Sequence, residues 1–214
     1  MAVDIHWVFE RRHESGRWVA VFSDTRLRDI ASTRGLKAAE TADMLAAREL
    51  MRRNHAWFSR LSGQVEGCGD APVLNPGMPE DAALYTRDYL AGDRAAQEGF
   101  FALRPMPFER HGAITLAEVR AGAEPAEAGQ SPTMNVSQNA PRSHYLRRLS
   151  ALFEQIGPRL EEEILFGRVR MVKGSKHPDM DEASNHQRLD ALAERDGLLP
   201  IEGSTLRWIA AYGH

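Results

Sequence analysis

In residues 3–12, Val3, Ile5, Trp7 and Phe9 take every second position, with Asp4, His6 and Glu10 at positions of the opposite parity. Successive side chains of an extended strand point to opposite faces, so this period of two predicts a half-buried β-strand. His13-Glu14-Ser15-Gly16 reads as a turn, and Arg17–Phe22 resumes the strand texture with Trp18, Val19, Val21 and Phe22. The chain therefore opens on a β-hairpin whose four-residue connection ends in glycine. The fold class expected is α+β, an N-terminal β-hairpin within a small antiparallel or mixed sheet, packed with several helices.

Helical signals follow. Asp24 can cap a short helical piece closed by Gly35, and Leu36–Met51 is rich in Ala, Glu, Leu and Arg, all strong helix formers. Asn54 stands as an N-cap before Trp57, Phe58 and Leu61, with Gly63 as the stop. The glycines and prolines of Gln64–Pro79 predict a surface loop, and Pro79-Glu80-Asp81 predicts a helix start with proline and carboxylates in the first turn. Leu84, Tyr85, Tyr89 and Leu90 form its apolar side, and Gly92 ends it. Phe100–Phe108 suits a sheet edge, because Pro105 and Pro107 point to the same side, and Thr115–Ala121 is a short helix.

Residues 1–121 thus form one α+β region. Gly122–Pro141 has no Lys or Arg, little aliphatic content and Pro125, Pro132 and Pro141, the composition of a flexible linker or excursion. Residues 142–214 form a helix-strand-helix region expected to pack on the same core. Ser143 can cap a helix in which Tyr145, Leu146, Leu149, Leu152, Phe153 and Ile156 make an apolar stripe. Gly157-Pro158 is expected to kink or break that helix before Leu160, Ile164 and Leu165 resume the stripe. A short strand at Val169–Met171, a helix over Met180–Asp196 with Gly197 as C-cap, and an apolar segment over Thr205–Tyr212 complete the reading.

Composition limits the function classes. Lys plus Arg number 27 against 30 Asp plus Glu, a net charge of −3, which removes the global argument for nucleic-acid or anionic-membrane binding. The single Cys68 has no partner for an internal disulfide or a thiolate metal site, in keeping with a reducing compartment. Neither a leader nor an apolar run of about 18 residues is written in the chain, so a soluble cytoplasmic protein without membrane contact is expected.

The densest set of metal-ligand side chains is His177, Asp179, Asp181, Glu182 and His186. Carboxylates belong electrostatically at a helix start, and that assignment explains them without a metal. Arg142, Arg147 and Arg148 around Tyr145 suit phosphates or stacked bases, but equally suit the solvated side of an amphipathic helix. Gly67-Cys68-Gly69 lacks the strand and helix of a phosphate-binding loop, and hydrolase and kinase signatures are absent. His111 lies between the Phe100–Phe108 segment and the Thr115 helix, where an imidazole can face a cleft.

Four motifs occur in order: Ile5-His-Trp-Val-Phe-Glu with Trp18-Val-Ala-Val-Phe; Arg53-Asn54-His55-Ala56-Trp57-Phe58; Gly77-Met78-Pro79-Glu80-Asp81; and His111 ahead of Thr115-Leu116-Ala117-Glu118. Together, over residues 3–121, they resemble an uncharacterised family of small proteins common in bacteriophage genomes. Where that family's loop carries two histidines with a tryptophan, this chain has His111 followed by Gly112 and Ala113. The resemblance implies an accessory protein of an infected bacterial cell, and by analogy a counter-defence role.

The expected function is non-enzymatic binding of a nucleotide-derived small molecule, with Arg53, Asn54, Trp57, Arg110 and His111 as ligand-binding residues, no catalytic residue, no metal and no cofactor. A homo-oligomer is compatible with this reading, and no nucleic-acid partner is expected. The alternatives are a metal-dependent hydrolase using His177, Asp179, Asp181 and His186, and an inhibitor that binds a host protein. Limited proteolysis is predicted to cut first within Gly122–Pro141, because that composition offers little apolar area to offset the entropy of ordering. First cleavage within Leu36–Met51 would contradict the boundary.

Overall fold

The computed structural model describes residues 4–24, 61, 72–90, 110–123, 141–162, 164 and 194–213. The predicted helices over Leu36–Met51 and from Asn54, the Phe100–Phe108 segment, the strand at Val169, most of the Gly122–Pro141 stretch and most of the Met180–Asp196 helix lie outside them.

The hairpin forms as the alternation predicts. Strand β1 spans Asp4–Arg12 and β2 spans Trp18–Ser23, paired antiparallel. In the turn, the His13 N–H donates to Arg17 O and the Gly16 N–H to His13 O, with Gly16 at a φ of 82° that a residue with a Cβ rarely adopts. The pairing slips between Phe9↔Phe22 and Glu10↔Ala20, a bulge that leaves Val21 without an opposite residue on β1. Val21 and Phe22 are consecutive in sequence, yet both join the same core cluster. The bulge thus resolves the break in strict alternation at this point.

Strand β3 (Asn75–Pro76), helix α1 (Leu84–Leu90), strand β4 (Arg110–Thr115), helix α2 (Leu116–Gly122), helix α3 (Arg142–Glu162) and strand β5 (Leu206–Gly213) follow. The five strands form one antiparallel sheet in the order β2-β1-β5-β4-β3, so the fold is α+β. The apolar segment at the end of the chain is the central strand, paired with β1 on one side and β4 on the other.

One face of the sheet is aromatic. The register aligns Phe22, Phe9, Trp208 and Ile114 in a row across β2, β1, β5 and β4, all buried. Helix α3 covers this row with Tyr145, Leu146, Leu149, Leu152, Phe153, Ile156 and Leu160. Phe153 meets Phe9 edge-on with ring centroids 5.1 Å apart, and Trp208 edge-on at 6.4 Å. Each fully buried side chain of this size contributes roughly 1.5–3 kcal/mol through area removed from water. Trp7 and Trp208 bring buried indole N–H groups into this layer with no hydrogen-bond partner, a cost that the surrounding aromatic burial offsets.

Three helix details differ from expectation. Helix α3 continues through Gly157 and Pro158 rather than breaking, and Leu160 stays on the buried stripe. It begins at Arg142, so Ser143 is already helical. Helix α1 begins at Leu84, later than Pro79-Glu80-Asp81 predicts, because Asp81 is drawn into a contact with β5 described below. By contrast, α2 lies within one residue of the predicted Thr115–Ala121: the Thr115 hydroxyl accepts from the Glu118 N–H, and Glu118 reaches back to the Thr115 N–H, closing a capping box.

The Gln64–Pro79 stretch ends in the short edge strand β3 rather than as loop throughout, with Val73 and Leu74 buried beside it. This close approach depends on Gly112, where an added Cβ would stand 2.7 Å from Leu74 Cβ. We predict that Gly112→Ala costs about 1–3 kcal/mol through overpacking and that Trp208→Ala costs about 3–5 kcal/mol through the cavity it leaves. Urea denaturation measures both, and an unchanged midpoint for Trp208→Ala would contradict the aromatic row.

Candidate functional site

The second face of the sheet carries His6 and Glu10 of β1, and they are not solvated. His6 and Glu10 are as buried as the aromatics, at 3% and 0% exposure, because α1 lies across this face. The alternation predicts the two faces correctly but not the burial of the polar one. Between the polar groups the floor is made of Val8, Ala20, Ala113, Ile209 and Ala211, small or branched residues that let α1 approach.

At one end of this face Glu10 lies directly opposite Arg207 in the β1–β5 register. Arg207 Nε donates to Glu10 Oε2 at 2.6 Å, while the second carboxylate oxygen accepts from the Ala83 N–H at 2.9 Å and from the Thr86 hydroxyl. Arg207 continues to Asp81, with Nη1 at 2.6 Å from Oδ1 and Nη2 donating to the Asp81 carbonyl at 3.1 Å. Its guanidinium stacks 4.0 Å from the Trp18 ring centroid, and Trp18 Nε1 donates to Asp81 Oδ2 at 2.9 Å. Trp18 therefore belongs to the polar face, apart from Trp7. Burial pushes the Asp81 carboxyl upward, but the hydrogen bonds and charge of Arg207 and the bond from Trp18 outweigh it and hold Asp81 below its ordinary value.

At the other end, the register places His6, Ala211 and His111 in one row across β1, β5 and β4. His6 Nδ1 lies 3.0 Å from Asp24 Oδ2 and 3.1 Å from the Tyr89 hydroxyl. Asp24 Oδ1 accepts from Tyr89 at 2.9 Å and from the Trp7 N–H at 3.2 Å. An ionised carboxylate only accepts, so in this arrangement His6 Nδ1 is the donor. His111 is half-buried, and its Nε2 donates to Leu90 O of α1 at 2.7 Å. Tyr85 stacks on Tyr89 one turn along α1, with ring centroids 5.7 Å apart.

Of the residues predicted to bind ligand, His111 belongs to this row, on strand β4 rather than in a loop. Arg110 precedes it on the same strand, opposite Tyr212. Arg53, Asn54 and Trp57 lie outside the described residues, as do His177, Asp179, Asp181 and His186. The sequence reading missed His6, Asp24 and Tyr89. His6 and Asp24 looked like a solvent-facing strand position and a helix cap, and no local pattern links them to a tyrosine more than sixty positions away.

Among the described residues, no group of three or more His, Cys, Asp or Glu is placed to hold a metal ion. A separate groove of 140 Å³ lies over the aromatic face between α2, α3 and Ile201. It is smaller than the roughly 300–1,000 Å³ of ordinary ligand pockets. Among the described residues no helix is long and apolar enough to cross a membrane. No protein family, curated protein or solved structure matches the chain.

Two outcomes are expected from the polar face. Arg207→Met strands the Glu10 carboxylate in a buried place and should destabilise by about 3–5 kcal/mol, whereas Glu10→Gln with Arg207→Met should recover part of that loss. For Asp81, whose folded value is depressed, the stability contribution is present above its unfolded value and is lost as pH falls through its folded value. The stability difference between the parent and Asp81→Asn should therefore be open near neutrality and close only in strong acid. A difference that persists unchanged at the acid end of a pH series of urea melts would refute the assignment.

Proposed function

We propose that this protein is a non-enzymatic binder of a small nucleotide-derived anion, acting as an accessory protein of bacteriophage type, with its ligand held at the His6 end of the polar face. The observation that carries the reading is that the strand register brings the half-buried His111 into one row with His6, with Arg110 next to it on β4. Arg53, Asn54 and Trp57 are assigned to the same ligand from the sequence motif that holds them.

In this reading His6, Asp24 and Tyr89 are supporting groups. At 3% exposure His6 does not reach a ligand directly, but its bonds to Asp24 and Tyr89 tie together β1, the end of β2 and the end of α1 behind the site. His111, half-buried and anchored on Leu90 O, is the described side chain nearest to ligand contact, and arginine forks supply the charge-assisted donors that a phosphate takes. The phage context is supported by the order of the four motifs along residues 3–121.

Calorimetry with a panel of linear and cyclic nucleotides tests the proposal, with native mass spectrometry of the purified protein to detect a retained ligand. The parent is expected to bind at least one nucleotide. Arg53→Ala and Arg110→Ala should each weaken it by about 1.5–3 kcal/mol, roughly ten- to a hundredfold, and His111→Ala should weaken it as well. Absence of binding by the parent, or unchanged affinity in all three variants, would overturn the site.

A further inference from the structure

We draw no further inference here: the strongest candidate, the small groove between α2, α3 and the loop ahead of β5, floored by Leu116, Phe153, Gly157 and Ile201, carries nothing because nothing in the structure shows what covers it.

Discussion

The pairing of β1 with β5 joins the two ends of the chain, and the Glu10–Arg207 contact determines its alignment. A slip of one residue would exchange the two faces of a strand and carry Glu10 or Arg207 into the layer of Phe9, Trp208 and Phe153. A charge in that environment without a partner costs several kcal/mol, so neighbouring registers are penalised strongly. In the observed register the carboxylate meets a guanidinium, a hydroxyl and a backbone N–H. The pair adds less to stability than to selection among alignments, since desolvating both ions absorbs much of their attraction. With β5 fixed, β4 pairs on its far side and brings His111 into the row of His6.

The two faces of the sheet meet their helices by different physics. On the α3 side, contact is aromatic and aliphatic over a long stripe, with Arg11 as a polar staple. That guanidinium donates to Leu160 O near the C-terminal end of α3 and to Leu199 O at 2.7 Å. Its burial pulls the guanidinium pKa down from its ordinary value, and Glu161 opposes that shift. On the α1 side, the contact is made by hydrogen bonds through Ala83, just ahead of the helix, and through Thr86, Tyr89 and Leu90 within it, over the small-residue floor.

Much of the local structure was legible. The alternation of residues 3–12 and the glycine-ended turn specify a hairpin, and the i, i+3, i+4 spacing of Tyr145, Leu149, Leu152, Phe153 and Ile156 specifies the buried side of α3. Thr115 with Glu118 specifies a helix start, because the two side chains satisfy each other's backbone groups whatever surrounds them. The candidate site was far less legible. His111 was singled out as a loop residue and lies on a strand, while His6, Asp24 and Tyr89 act together only because β1, β2 and α1 converge.

The sequence by itself determined what short-range physics decides: strand period, helix stripe, capping box and the positive-φ glycine of the hairpin. These depend on groups within a few residues of each other, so their pattern is visible in a line of text. Only the tertiary structure decided that Leu206–Gly213 is the central strand, that Asp81 serves Arg207 instead of opening a helix, and that His6 and Glu10 of β1 are buried. Those outcomes follow from pairings across most of the chain, such as Glu10 with Arg207. A buried carboxylate and a solvated one look alike in sequence until the partner that makes burial tolerable is brought opposite it.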